Sequence, residues 1–242
     1  DKPIAEAQKS LDTKPVPSGP PKTVRFQYQK VDEGIYVSTL DLQKIFLRAF
    51  ARAGIYVTYD NGFRPKPKLA MGPALPLGVE SRCELFDITV ETTLSAEEIR
   101  ERINPFVPPH LQVLTGAAVE KGDPNITGTI RGLSFRVDFA NLAGYKTRDE
   151  LVNNAARLQA ADSYVIKRER KARNGKIKRS AIDLKTSMEA LSVLDNGIHF
   201  TMAAPNGQSA SPYLVLEALL EKTLGNEMIP IQKTGFHTLR DG

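Results

Sequence analysis

Apolar and polar residues alternate from position 24 onward. Val24, Phe26 and Tyr28 fall on one side and Arg25 and Gln27 on the other, the period-two pattern of a half-buried strand. The period then lengthens. Leu42, Ile45, Phe46, Ala49, Phe50 and Ala53 recur at helical spacing and form one apolar stripe, opened by Ser38 as N-cap and stopped by Gly54. A short strand at 55–58 and a long Pro- and Gly-rich loop come next. A strand at 81–91 follows, with Phe86, Ile88 and Val90 on one face. Ser95 and Glu98 form a capping box for a second helix, Pro105, Pro108 and Pro109 end it, and residues 111–119 predict another strand.

The second half repeats this order without repeating the sequence. A strand at 129–139 precedes a helix capped by Thr147 with Glu150 as its capping-box partner, and Leu151, Ala155 and Leu158 face inward. Strands at 164–170 and 176–184 flank Asn174-Gly175, and strands at 190–194 and 198–203 turn at Asn196-Gly197. Ser211 and Pro212 open the last helix, with Leu216, Leu219 and Leu220 inward, and a strand at 228–236 closes the chain. The order predicts an α+β protein of two ferredoxin-like (βαββαβ) halves packed together, antiparallel sheets with helices on one face. The expected divisions are a flexible linker at 1–22, rich in Pro, a first half at 23–120, and a second half at 121–242 that carries the extra basic hairpin.

The 242 residues are 41% apolar and 25% charged, an ordinary globular balance. The sequence shows no apolar run long enough for a membrane span and no secretory pattern, so no membrane partner is expected. A single cysteine, Cys83, excludes an internal disulfide and a multi-thiolate metal site, which fits a reducing, cytoplasmic setting. Basic residues exceed acidic ones, 33 to 28, so the placement of charge matters more than its total.

That placement is uneven. Lys167, Arg168, Arg170, Lys171, Arg173, Lys176, Lys178 and Arg179 crowd one hairpin, opposed by Glu169. Such a ribbon can follow a phosphate backbone and release counterions, with Tyr164 at its base as a stacking candidate. It can equally be an edge hairpin kept unpaired by its cations. The loop of residues 61–68 alternates Pro with Arg64, Lys66 and Lys68, which predicts a stiff, positive strip. In it Phe63 either stacks on a ligand or, more simply, anchors the loop to the core. Gly72, Pro73, Pro76 and Gly78 shape a tight turn before the strand.

Asp41, three residues after Ser38, reads as part of a helix cap. Asp87 should point away from Phe86 and Ile88, paired across strands near Arg82; both remain possible site residues. His110, His199 and His237 lack metal spacing, and no phosphate loop or Gly-x-Ser-x-Gly elbow is present. No catalytic residue is assigned, and no cofactor or metal is implied.

The chain resembles, over about residues 24–115 and beyond that chiefly in order and spacing, a family of bacterial domains called radical SAM-linked. The residues that carry the likeness are Ser38, Leu40, Asp41, Leu42, Phe50, Arg52, Ala53, Gly54, Gly62, Phe63, Pro65 and Pro67, then the run Ala74 to Ser81, with Glu84 and Asp87. The resemblance implies a domain that follows, or is encoded beside, a cobalamin-binding radical SAM protein, with RNA as a partner. This chain departs from it at Thr39 and Lys66, where relatives often carry His. Three readings stand. One is an accessory RNA-binding domain that presents tRNA or rRNA to a radical SAM enzyme. The second is a module that docks on the radical SAM barrel. The third is an RNA-processing enzyme using Asp41, Asp87 and His199.

Overall fold

The computed structural model describes residues 14–171, 177–225 and 227–238, apart from the side chains of 169–171, 178, 179 and 206. The chain divides into two units, Asp1–Thr127 and Gly128–Gly242, so the division falls seven residues later than the sequence suggests. Both mix helices with antiparallel strands, and the class is α+β.

In the N-terminal unit the strands are β1 (Pro21–Lys30), β2 (Leu69–Met71), β3 (Val79–Glu91) and β4 (Val113–Ala118). β1 pairs with both β3 and β4, and β2 pairs with β3, all antiparallel. The expected strand at 55–58 is reduced to an isolated bridge, Val57 with Val90. Alternation decides the faces. Val24, Phe26 and Tyr28 of β1 and Phe86, Ile88 and Val90 of β3 are buried on one side. Onto that side fold helices α1 (Thr39–Arg52) and α2 (Ala96–Ile103), whose Leu42, Phe46, Phe50, Ile99 and Ile103 join the same core. Ser38 Oγ accepts the Asp41 N–H at the start of α1, and Ser95 with Glu98 forms the full capping box of α2.

The linker gives way earlier than its prolines suggest. Pro21 is the first residue of β1, a position where a missing N–H costs no ladder bond, and the Ser18 N–H already donates to Glu91 O at 3.0 Å. Gly19 permits this close approach, since a Cβ there would lie 2.6 Å from the Thr92 carbonyl carbon.

Phe86 is the centre of the aromatic packing. Its ring centroid lies 4.5 Å from that of Phe46, 5.3 Å from Phe26 and 5.8 Å from Tyr28. Buried polar side chains adjoin this core. Burial lowers the Lys30 pKa and raises that of Tyr28 well above its ordinary value, and the Glu84 carboxylate favours the protonated form of both.

In the C-terminal unit β5 (Ile130–Asp138) pairs with β9 (Gly197–Ala203) and with β10 (Ile231–Thr238), and β8 (Met188–Leu194) pairs with β9, all antiparallel. A separate hairpin joins β6 (Val165–Lys171) to β7 (Ile177–Asp183). The turn between β8 and β9 is Asp195-Asn196, one residue before the expected site, because Leu194 already pairs with Gly197. Helix α3 (Arg148–Ala160) has the capping box of Thr147 and Glu150, and every residue of α4 (Tyr213–Leu220) from Leu214 on is buried. Asn154 of α3 satisfies its buried amide by donating to Leu219 O at 2.7 Å. No helix among the described residues is long and apolar enough to cross a membrane.

Phe86→Ala should destabilise the protein by about 3–5 kcal/mol, because three rings lose their common neighbour and the cavity cannot collapse fully. A lower urea midpoint with an unchanged slope is the expected readout; a loss below about 1 kcal/mol would place the core elsewhere.

Candidate nucleic-acid interface

The face of β1 and β3 opposite the helices is polar, and its side chains are tied in cross-strand pairs. Arg25 faces Asp87 in register and forms a bidentate pair, Nε to Oδ1 and Nη2 to Oδ2, both at 2.8 Å. The same guanidinium donates to Pro124 O at 2.9 Å. Two residues along, Thr23 and Thr89 share a hydroxyl–hydroxyl bond of 3.0 Å. Asp87 therefore points away from the core, as its alternation predicts, but its partner is Arg25. Arg82 instead donates to the Gln29 side chain at 2.8 Å. The cross-strand partner follows from register, which the local sequence does not reveal.

Beside this face runs the basic loop. It folds back on itself rather than extending as a strip. Asp60 Oδ1 accepts the Gly62 N–H at 3.2 Å and the Lys66 N–H at 3.0 Å, while the Asp60 N–H donates to Lys66 O at 2.9 Å. One carboxylate thus closes the loop at both ends, the local chemistry expected of Asp before Asn-Gly. Those backbone N–H groups, Lys66 first and then Gly62, hold the Asp60 pKa below the usual carboxylate range, helped by the charges of Lys66 and Lys68. The Lys68 N–H then donates to Thr58 O, and β2 follows on the edge of β3.

The loop's side chains face water. Arg64, Lys66 and Lys68 are all exposed. Phe63, at the tip, has a relative exposure of 101%, so it anchors nothing in this structure. The reading of Phe63 as a core anchor is corrected here: the turn closed by Asp60 carries its ring away from every apolar neighbour. Between loop and sheet lies a cleft of about 330 Å³, lined by Thr23, Asp60, Lys66, Pro67, Lys68, Leu69, Ala70, Asp87 and Thr89. It brings the separately predicted Lys66, Lys68 and Asp87 to one place. The run from Pro73 to Ser81 serves the frame. Gly78 has φ of 82°, which a side chain would resist, and its N–H donates to Ile35 O at 3.1 Å.

The other candidates do not line this cleft. Asp41 is a surface carboxylate whose pKa is lowered by the Ser38 hydroxyl and then by Lys44. In the C-terminal unit, Lys167 and Tyr164 line a cleft of about 590 Å³ with Glu217, Glu221 and Lys222. Arg168 is held by the buried Glu217 at 2.6 Å, so its charge is matched within the fold. The β6–β7 ladder sets Glu169 opposite Arg179 and Arg170 opposite Lys178. Arg173 and Lys176 lie outside the described residues, as do the side chains of Arg170, Lys171, Lys178 and Arg179. Ser134 and His237 meet at 2.7 Å from 103 positions apart, a pairing that no sequence spacing signals. His199 Nε2 is buried with no hydrogen-bond partner among the described residues. No group of three or more His, Cys, Asp or Glu among the described residues could hold a metal ion.

Residues 23–212 match the model of a family described as an uncharacterized protein conserved in bacteria, DUF2344. The chain belongs to this family. The DUF2344 match begins inside β1 and takes in the loop, the cleft and most of the C-terminal unit. No functionally curated protein matches the sequence. A crystal structure of an unknown protein from Galdieria sulphuraria aligns over 90% of this DUF2344 chain and 99% of its own, at 11% identity and a TM-score of 0.26. That likeness carries no argument about fold or function.

The depressed Asp60 pKa gives the loop a pH dependence. A carboxylate with a lowered folded-state pKa favours the closed loop above its ordinary value near 3.9, and the preference is lost as pH falls through the lower folded value. In an NMR titration the Gly62 and Lys66 amide shifts should move together with a midpoint below the ordinary Asp value. A normal midpoint would show that the loop is not closed by Asp60.

Proposed function

We propose that this protein is an accessory RNA-binding domain that works with a radical SAM enzyme in the modification or maturation of tRNA or rRNA. The observation that carries the reading is the exposed triad Arg64, Lys66 and Lys68 on a loop already fixed by Asp60. A loop whose backbone is already closed loses little backbone entropy when a polyanion arrives. Each phosphate they neutralise releases condensed counterions. Lys167, on the β6–β7 hairpin, is a further exposed cation. Arg168 contributes less to this reading, because Glu217 already matches it. The radical SAM partner rests on the resemblance carried by the segments around Asp41, Pro65 and the run ending at Ser81.

A second reading, a module that docks on the radical SAM protein itself, is favoured by three exposed apolar side chains. Tyr36, Leu40 and Leu77 have relative exposures of 60%, 69% and 48%. They lie on two segments that the Gly78-to-Ile35 backbone bond holds together.

Replacing Arg64, Lys66 and Lys68 together by Ala should weaken binding to RNA of any sequence and flatten the slope of log affinity against log salt by roughly 0.7 per lost phosphate contact on a single strand. Salt-independent affinity, or no binding at roughly 50 mM salt, would remove the RNA reading. Association with the radical SAM enzyme that survives RNase treatment would then mark the docking reading as the correct one.

A further inference from the structure

We infer that the cleft beside the basic loop is built for single-stranded RNA, accepting an unstacked base and rejecting a duplex. This rests on the RNA-binding reading above and specifies what kind of RNA the site takes.

Three observations lead to it. Phe63 stands fully exposed at the tip of a loop that Asp60 holds shut, flanked by Arg64. An exposed aromatic ring beside cations, on a backbone already closed, is the arrangement that stacks on a base while the neighbouring charges take the phosphates. The cleft floor, in contrast, is not cationic. Thr23 and Thr89 share one hydroxyl bond, which leaves a second hydroxyl proton to donate, and Asp87 spends one acceptor site of each oxygen on Arg25. A carboxylate retains further lone pairs. Such a floor has its one carboxylate matched by Arg25 and can meet a base edge, which offers amino or imino donors and ring acceptors. Lys66 and Lys68 border the same cleft and can hold the flanking phosphates. Finally, about 330 Å³ is small for a binding site, room for one nucleotide and far too little for a helix. In A-form RNA the base faces are stacked, the deep groove is closed to side chains and the Watson–Crick edges are already paired, so a duplex offers Phe63 no ring face and the floor no free pairing edge.

Fluorescence anisotropy on the whole protein separates the possibilities. The probes are a labelled mixed-sequence RNA strand and the same strand annealed to its complement. The single strand should bind about tenfold or more tightly than the duplex, as one or two stacked bases allow. Phe63→Ala should lose roughly tenfold on the single strand and leave the duplex unchanged, and Phe63→Tyr should retain the preference. Phe63 touches no core residue, so neither change should shift the melting temperature. Equal affinity for both forms, or an equal effect of Phe63→Ala on both, would overturn this inference while leaving the cation-based reading intact. Failure of both forms to bind would overturn the two together.

Discussion

The antiparallel register of β1 against β3 is the constraint on which the rest of the N-terminal unit depends. It sets Phe26 opposite Phe86 on one face and Arg25 opposite Asp87 on the other. Because side chains alternate along a strand, slipping the pairing by one residue would exchange the two faces, putting charge in the core and rings in water. The same pairing thus stabilises the fold through the aromatic cluster and lays out the polar floor of the cleft. The Arg25–Asp87 fork also removes an otherwise uncompensated carboxylate from the half-buried face, and the Asp87 hydrogen bonds raise the Arg25 pKa further.

Much of this was legible in the sequence where the determinants are local. The capping pairs Ser95 with Glu98 and Thr147 with Glu150 lie three residues apart and formed as expected, because both partners belong to one helical turn. The alternation through Val24, Phe26 and Tyr28 gave the buried face of β1 for the same reason. What the sequence hid is set by distant segments. Asp87 was expected to pair near Arg82, which is close in sequence, whereas its partner Arg25 is 62 positions away. Phe63 reads as an anchor because aromatic residues usually bury, and only the fold shows that its loop turns outward. One signal for the outward turn is local: Asp60 before Asn61-Gly62 is the composition of a side-chain-closed turn.

The functional account combines these two levels. Cation spacing along the loop is a sequence property, but a polyanion site needs the cations to be exposed, held and free of competing carboxylates. Arg64, Lys66 and Lys68 are exposed on a backbone that Asp60 closes through the Gly62 and Lys66 N–H groups, although the Lys66 and Lys68 charges also act on Asp60. Arg168 fails the third, since Glu217 claims it. Membership in DUF2344 groups this chain with proteins conserved in bacteria over most of its length.

The most direct measurement is amide chemical-shift mapping by NMR as single-stranded RNA is added to the protein. The account predicts that the largest shifts fall on residues 61–68 and on Thr23 and Thr89 across the cleft floor. Shifts confined to other surfaces, or none at low salt, would contradict it.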